Sequence, residues 1–137
     1  MKKARISAAL RREVRARARE RCEYCLLADS QAIGPHEPDH LIALKHGGET
    51  SSANLVLACL DCNRFKGADI ASLDPLTGEL VPLFNPRTQR WAEHFQLNGY
   101  QIIPLTAVGR ATERLLKLNI ARRLQAREES AALGTYP

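Results

Sequence analysis

The chain has 137 residues, of which 45% are hydrophobic and 26% charged, with a formal charge of +5 at neutral pH and a pI of about 9.3. This excludes a disordered polyelectrolyte, and no apolar run approaches the roughly 20 residues of a membrane span. A single domain over 1–137 is expected, small enough that a cross-link or metal would help hold its core.

The charge is concentrated at the start. Residues 1–25 hold nine Lys or Arg (Lys2, Lys3, Arg5, Arg11, Arg12, Arg15, Arg17, Arg19, Arg21) against Glu13, Glu20 and Glu23, and the rest of the chain is close to neutral. More arginines, and no apolar stretch, follow the basic start, so no signal peptide is expected and the chain is assigned to the cytoplasm. A basic segment of this kind favours a polyanion, most often nucleic acid, although a solvated helix face explains the same charges.

Ser7 can cap a helix through AALRREVRARARE, with Ala8, Leu10, Val14 and Ala18 as a thin apolar stripe. RCEYC should end it in a turn, and Leu26 to Pro38 reads as loop, punctuated by Gly34, Pro35 and Pro38. HLIAL and NLVLA read as two short strands around the polar loop KHGGETSSA. CLDCNRFKGA reads as a knuckle followed by a short helix starting near Asn63. DPLTGELVPLFNP predicts a small hairpin or an extended arm. RTQRWAEHFQL predicts a helix with Trp91 and Phe95 on one face, GYQIIPL a strand, and Thr106 the cap of a last helix through VGRATERLLKLNIARRLQAREE.

All four cysteines fall in two C-x2-C pairs, Cys22/Cys25 and Cys59/Cys62, separated by 33 residues. Each knuckle aims two thiolates at one point, and two knuckles complete a tetrahedral zinc site with sulfur about 2.3 Å from the metal. Such a closed site staples and does not catalyse. A thioredoxin-type redox pair needs only one C-x2-C, and two disulfides are disfavoured in the cytoplasm.

Asp39 and His40 stand together at the head of the first expected strand, and Asn63 lies just past the last cysteine. The three can converge if the strand is bent at Pro38, since adjacent strand residues otherwise point to opposite faces. Taken singly, His40 is equally a surface histidine, Asn54 a turn residue and Asn63 a helix cap.

The stretch EPDHLIALKHGGETSSANLVLACLDCNRFKG resembles the HNH endonuclease motif of the ββα-metal class, in its zinc-stapled four-cysteine branch. The resemblance covers roughly residues 20–70, with 71–137 as a C-terminal extension whose LFNPRTQRWAEHF and IIPLTAVGRATERLLKLN look like the tail of small stand-alone HNH proteins. It implies an α+β fold: a short β-hairpin plus helix with a four-cysteine staple, flanked by N-terminal and C-terminal helices. It also implies DNA phosphodiester hydrolysis, with no membrane partner. His40 would be the general base, and Asn54 would hold it in position by bonding loop backbone. Asp39 and Asn63 would hold a divalent cation, Mg2+ or Mn2+ for so hard an oxygen set. Cys22, Cys25, Cys59 and Cys62 would hold the structural Zn2+. Arg15, Arg19, Arg64 and Lys66 would contact phosphate. His36 and His46 could each reach the site, although loop histidines are usually solvated, and His94 is expected to be part of a packing face. The competing reading is a zinc-knuckle module that binds nucleic acid and cuts nothing; a weaker one is a zinc-stapled interaction protein that docks through its basic helix.

Overall fold

The computed structural model describes residues 5–137; Lys2 and Lys3, counted above in the basic segment, lie outside the described residues. Helix α1 (Ala8–Arg17) starts at Ser7, whose Oγ accepts the Leu10 N–H at 3.1 Å. Such a cap contributes about 1 kcal/mol. Val14, with Leu10, Ile6 and Ala18 beside it, packs on Leu55 and Leu57, so Leu10, Val14 and Ala18 of the stripe read from the sequence form the face that docks, whereas Ala8 is exposed.

Strands β1 (Glu37–His40) and β2 (Leu55–Ala58) form an antiparallel pair with Pro38 opposite Leu57 and His40 opposite Leu55. The first strand therefore ends at His40, where the sequence reading began it. The reason lies in the ladder. The Leu57 N–H donates to Glu23 Oε2 at 2.8 Å and its carbonyl accepts the Glu23 N–H at 2.9 Å, so both groups face away from β1. Pro38, which has no N–H to give, thus sits at a position where none is needed. The same outer edge of β2 is closed at Leu55, whose carbonyl accepts from Arg17 Nη2 at 2.8 Å. An otherwise open edge is covered by α1 and the first knuckle.

Helix α2 (Leu60–Lys66) begins three residues before Asn63. Its cap is Cys59, whose Sγ accepts the Cys62 N–H at 3.4 Å, so Asn63 is an interior helical residue and not a cap. The expected hairpin is present as β3 (Ala71–Leu73) and β4 (Leu80–Pro82). Two expectations fail beyond it. The helix at Trp91 is one turn, α3 (Trp91–His94), because Phe95 starts β5 (Phe95–Asn98), which pairs with β6 (Gln101–Pro104) around Gly99 at φ +63°. Trp91 and Phe95 still meet, with ring centroids 5.2 Å apart. The long last helix is two, α4 (Ala107–Leu115) and α5 (Ala121–Ala132), parted at Lys117, whose φ is +50°. Thr106 caps α4 as expected, accepting the Gly109 N–H at 3.0 Å.

The larger core joins the two halves of the sequence. Cys22, Tyr24, Cys25, Val56, Ala58 and Cys62 share one buried cluster with Phe84, Phe95, Ile102, Leu116 and Leu118. No described helix is long and apolar enough to cross a membrane.

Candidate metal centre and active site

The four cysteines are buried and unpaired by disulfide, with all their sulfurs within 4.8 Å of one another. Cys25 Sγ lies 3.7 Å from Cys59 Sγ. A tetrahedron with metal–sulfur bonds of 2.3 Å has edges of about 3.8 Å, so the cluster fits zinc. The knuckles are built by their own backbone: the Cys25 N–H points at Cys22 Sγ (3.5 Å) as the Cys62 N–H points at Cys59 Sγ. Burial holds the Cys22 and Cys62 thiols well above the ordinary range, while hydrogen bonds from its three neighbours bring Cys25 well below it. Zinc must therefore displace protons to bind here.

Arg123 of α5 completes this site, and nothing in the sequence singled it out. It is 5% exposed, and its Nη2 lies 3.0 Å from Cys62 Sγ and 3.5 Å from Cys59 Sγ. Its Nη1 donates to the Leu116 carbonyl at 2.6 Å. Burial by itself would lower its pKa, but the sulfurs of Cys62, Cys25 and Cys59 outweigh that and raise it. A zinc with four thiolates carries a formal −2, and this guanidinium offsets half of it. Tyr136 adds a second strut from the C-terminus, its hydroxyl donating to the Cys25 carbonyl at 2.9 Å.

Asp39 and His40 close β1. His40 Nε2 lies 2.9 Å from Thr50 Oγ1, across the loop that joins the two strands. Asn54 organises that loop. Its Oδ1 accepts the Ile42 N–H at 2.9 Å, and its Nδ2 donates to the carbonyls of Ile42 at 2.9 Å and Glu49 at 2.8 Å. The Asn54 carbonyl also accepts the Leu41 N–H. Gly48 makes this closure sterically feasible, since a Cβ there would stand 1.8 Å from the Ile42 oxygen. The Gly47-Gly48 pair was a visible signal for it; Thr50 had none.

Lys66 was expected on the surface against phosphate. It is instead 2% exposed, its ammonium donating to the carbonyls of His40 (3.2 Å) and Leu41 (3.3 Å) and lying 3.9 Å from Asp39 Oδ2. A hairpin end with inward-turned carbonyls needs a donor, and α2 supplies it. Burial lowers the Lys66 pKa, opposed by Asp39 and Asp69. Asn63 stands one turn earlier at i−3, on the same side of α2 as Lys66. Tyr24, buried between the first two cysteines, has its phenol pKa raised well above the usual value, first by burial and next by the charge of Asp39.

Arginines of α1 also turn out to be struts. Arg15 donates to the His36 carbonyl at 2.8 Å and pairs with Glu20 and Asp29. Arg11 pairs with Glu37, and Arg17 binds Ser52 and Leu55. Arg15 is thus spent on holding the loop before β1, whereas Arg19, past the end of α1, and Arg64 on α2 remain exposed. His36 is fully buried, its Nε2 2.8 Å from the Leu27 carbonyl, and not a solvated loop histidine.

A two-stranded hairpin, the helix that follows it and a four-cysteine cluster joining the helix start to an upstream knuckle define a zinc-stapled ββα-metal core within an α+β fold. Residues 22–69 match the family model described as HNH endonuclease. No curated protein and no solved structure gives a significant match. The match supports a nuclease-type function in general.

Proposed function

We propose that the chain, as one domain, is a metal-dependent endonuclease that hydrolyses phosphodiester bonds in DNA. The observation that carries this reading is the reach of Lys66 to the backbone of His40 and Leu41 and to within 3.9 Å of Asp39. Asn63 stands three residues before Lys66 on α2, a spacing that puts the two on one side of the helix, and this supports a site shared by the acid-histidine pair and the last asparagine of the motif.

In this reading His40 takes a proton from the attacking water. A neutral imidazole does this near neutral pH. Thr50 and the loop tied by Asn54 fix the ring that Asn54 never touches directly. Asp39 and Asn63 offer a carboxylate and an amide oxygen, a hard donor pair suited to Mg2+ or Mn2+. When bound, that cation supplies charge stabilisation at the scissile phosphate and its leaving oxygen. Arg64 and Arg19 add phosphate contacts that give affinity without sequence readout. The unpaired thiols of the zinc staple suit a reducing compartment, and we place the chain in the cytoplasm.

The test is plasmid cleavage by wild type and His40→Ala, with Mg2+, with Mn2+ and with EDTA. Cleavage by wild type alone, only with added metal, supports the reading. If neither protein cuts while both bind DNA and retain zinc, the chain is a binding module on a nuclease scaffold.

A further inference from the structure

Phe65 lies beside Asn63 in sequence but on another side of α2, and three cations gather around its ring. Arg64 stands 5.1 Å from the ring centroid, Lys117 4.9 Å and Arg122 5.8 Å. They come from three places: α2, the turn between α4 and α5, and the first turn of α5. All three are exposed, Arg64 and Arg122 with 64% and 52% of their side chains accessible. Among the described residues the one carboxylate paired with any of them is Asp61, 2.6 Å from Arg122 and 3.5 Å from Arg64. Lys117 has no carboxylate partner among the described residues, and it is presented from a left-handed backbone at φ +50°, which a lysine rarely adopts.

Gathering like charges is unfavourable unless something negative is shared. The face of Phe65 and the single carboxylate of Asp61 offset part of this, and the remainder leaves an exposed site for a further anion. Because the cations are spread over one ring and belong to separate elements, they form a fixed array and not a single-ion pocket. An array of that kind fits consecutive phosphates of a nucleic-acid backbone.

We infer that Arg64, Lys117 and Arg122 form a clasp for the backbone of duplex DNA beyond the scissile phosphate, through which the C-terminal extension takes part in substrate binding. This rests on the nucleic-acid reading above and adds to it a surface outside the HNH segment.

The experiment uses the full chain loaded with zinc and a fluorescein-labelled DNA duplex, without added divalent cation, and follows anisotropy as salt is raised. The Lys117→Gln/Arg64→Gln double variant removes two of the three charges and leaves polar side chains in their place. It should bind several-fold more weakly at low salt, and the slope of log K against log salt should fall by about 1.8, from about 0.9 per lost phosphate contact. The exposed Arg90→Gln, which removes one charge elsewhere on the surface, serves as a control and should leave the slope unchanged. A second measurement needs no variant: DNA should shield Lys117 of the wild type from acetylation, read by mass spectrometry. If wild type binds DNA but the slope is unchanged, or Lys117 stays fully reactive, the clasp is overturned and the nuclease reading stands. If wild type binds no DNA, both fall.

Discussion

Lys66 Nζ lies 3.9 Å from Asp39 Oδ2 while donating to the carbonyl of His40, the residue after it. One buried cation therefore touches the backbone of one candidate catalytic residue and the charge of the other. Replacing it with Met removes the donor for the His40 and Leu41 carbonyls, which should cost about 1–3 kcal/mol of stability. DNA affinity and its salt slope should not change, because the ammonium cannot reach solvent. A clear loss of salt slope in Lys66→Met would return this lysine to the phosphate-binding set.

His40→Ala should abolish cleavage and leave zinc content and DNA affinity within about twofold of wild type, since the hydrogen bond its ring makes is to Thr50 Oγ1 in the loop and not to the cysteine cluster. Metal analysis and anisotropy on the same preparation check this. Loss of zinc or of the thermal transition would make His40 a structural residue.

Asn54→Ala removes three hydrogen bonds to the loop, and Gly48→Ala forces a methyl into the Ile42 carbonyl. Both should depress kcat strongly with little change in DNA affinity. Asn54→Ala should also lower the melting midpoint, by an amount corresponding to about 1–3 kcal/mol. Unchanged turnover in both variants would detach the loop from catalysis.

Cys59→Ser, or chelation of the metal, should unfold the chain, as is usual where metal binding and folding are coupled. Arg123→Gln should be milder: on the order of 3 kcal/mol less stable, with faster zinc transfer to a chromogenic chelator, because the thiolates lose their buried countercharge. Equal transfer rates would show that the guanidinium is a packing element only.

Asp74 is fully buried, and Arg110 grips it with Nε and Nη2, both at 2.8 Å. The Arg110 guanidinium, with hydrogen bonds from Leu76 and Thr77, holds its carboxyl well below the usual carboxylate range. The unfolded chain then binds a proton that the folded one does not, so stability rises with pH in that window. The contribution is full above about pH 4 and is lost as pH falls toward the folded value. Asp74→Asn should be less stable at neutral pH and show a flatter acid limb in urea midpoints against pH; parallel limbs would refute the assignment.

Where the sequence was readable, the chemistry was written in spacing. Two C-x2-C pairs are a geometric instruction in themselves, and the four sulfurs meet. Ser7 and Thr106 capped as read because capping needs only one hydroxyl at one position. The failures have a common cause in long-range partners. HLIAL alternates plausibly, yet the strand is set by Glu23 reaching Leu57, a contact 34 residues apart. The helix expected to start near Asn63 starts at Leu60, because a sulfur, Cys59 Sγ, takes the cap. Lys117 breaks the last helix by a backbone conformation that its residue type does not announce. Lys66 and Arg15 look like any surface charges, and only the fold reveals the carbonyls that claim them. Arg123 is one of twenty basic residues, and its place against the sulfurs depends on where α5 lands.

The shared buried cluster has a consequence for protein engineering. Phe84, Phe95, Ile102, Leu116 and Leu118 lie outside the matched segment 22–69, yet they pack with its cysteines. The stretch that carries the family signature is therefore not a portable cassette. Grafted alone onto another scaffold, it would present a raw apolar wall where the extension had been and leave the zinc thiolates without Arg123. A chimera that aims to borrow the matched segment must take α4 and α5 with it.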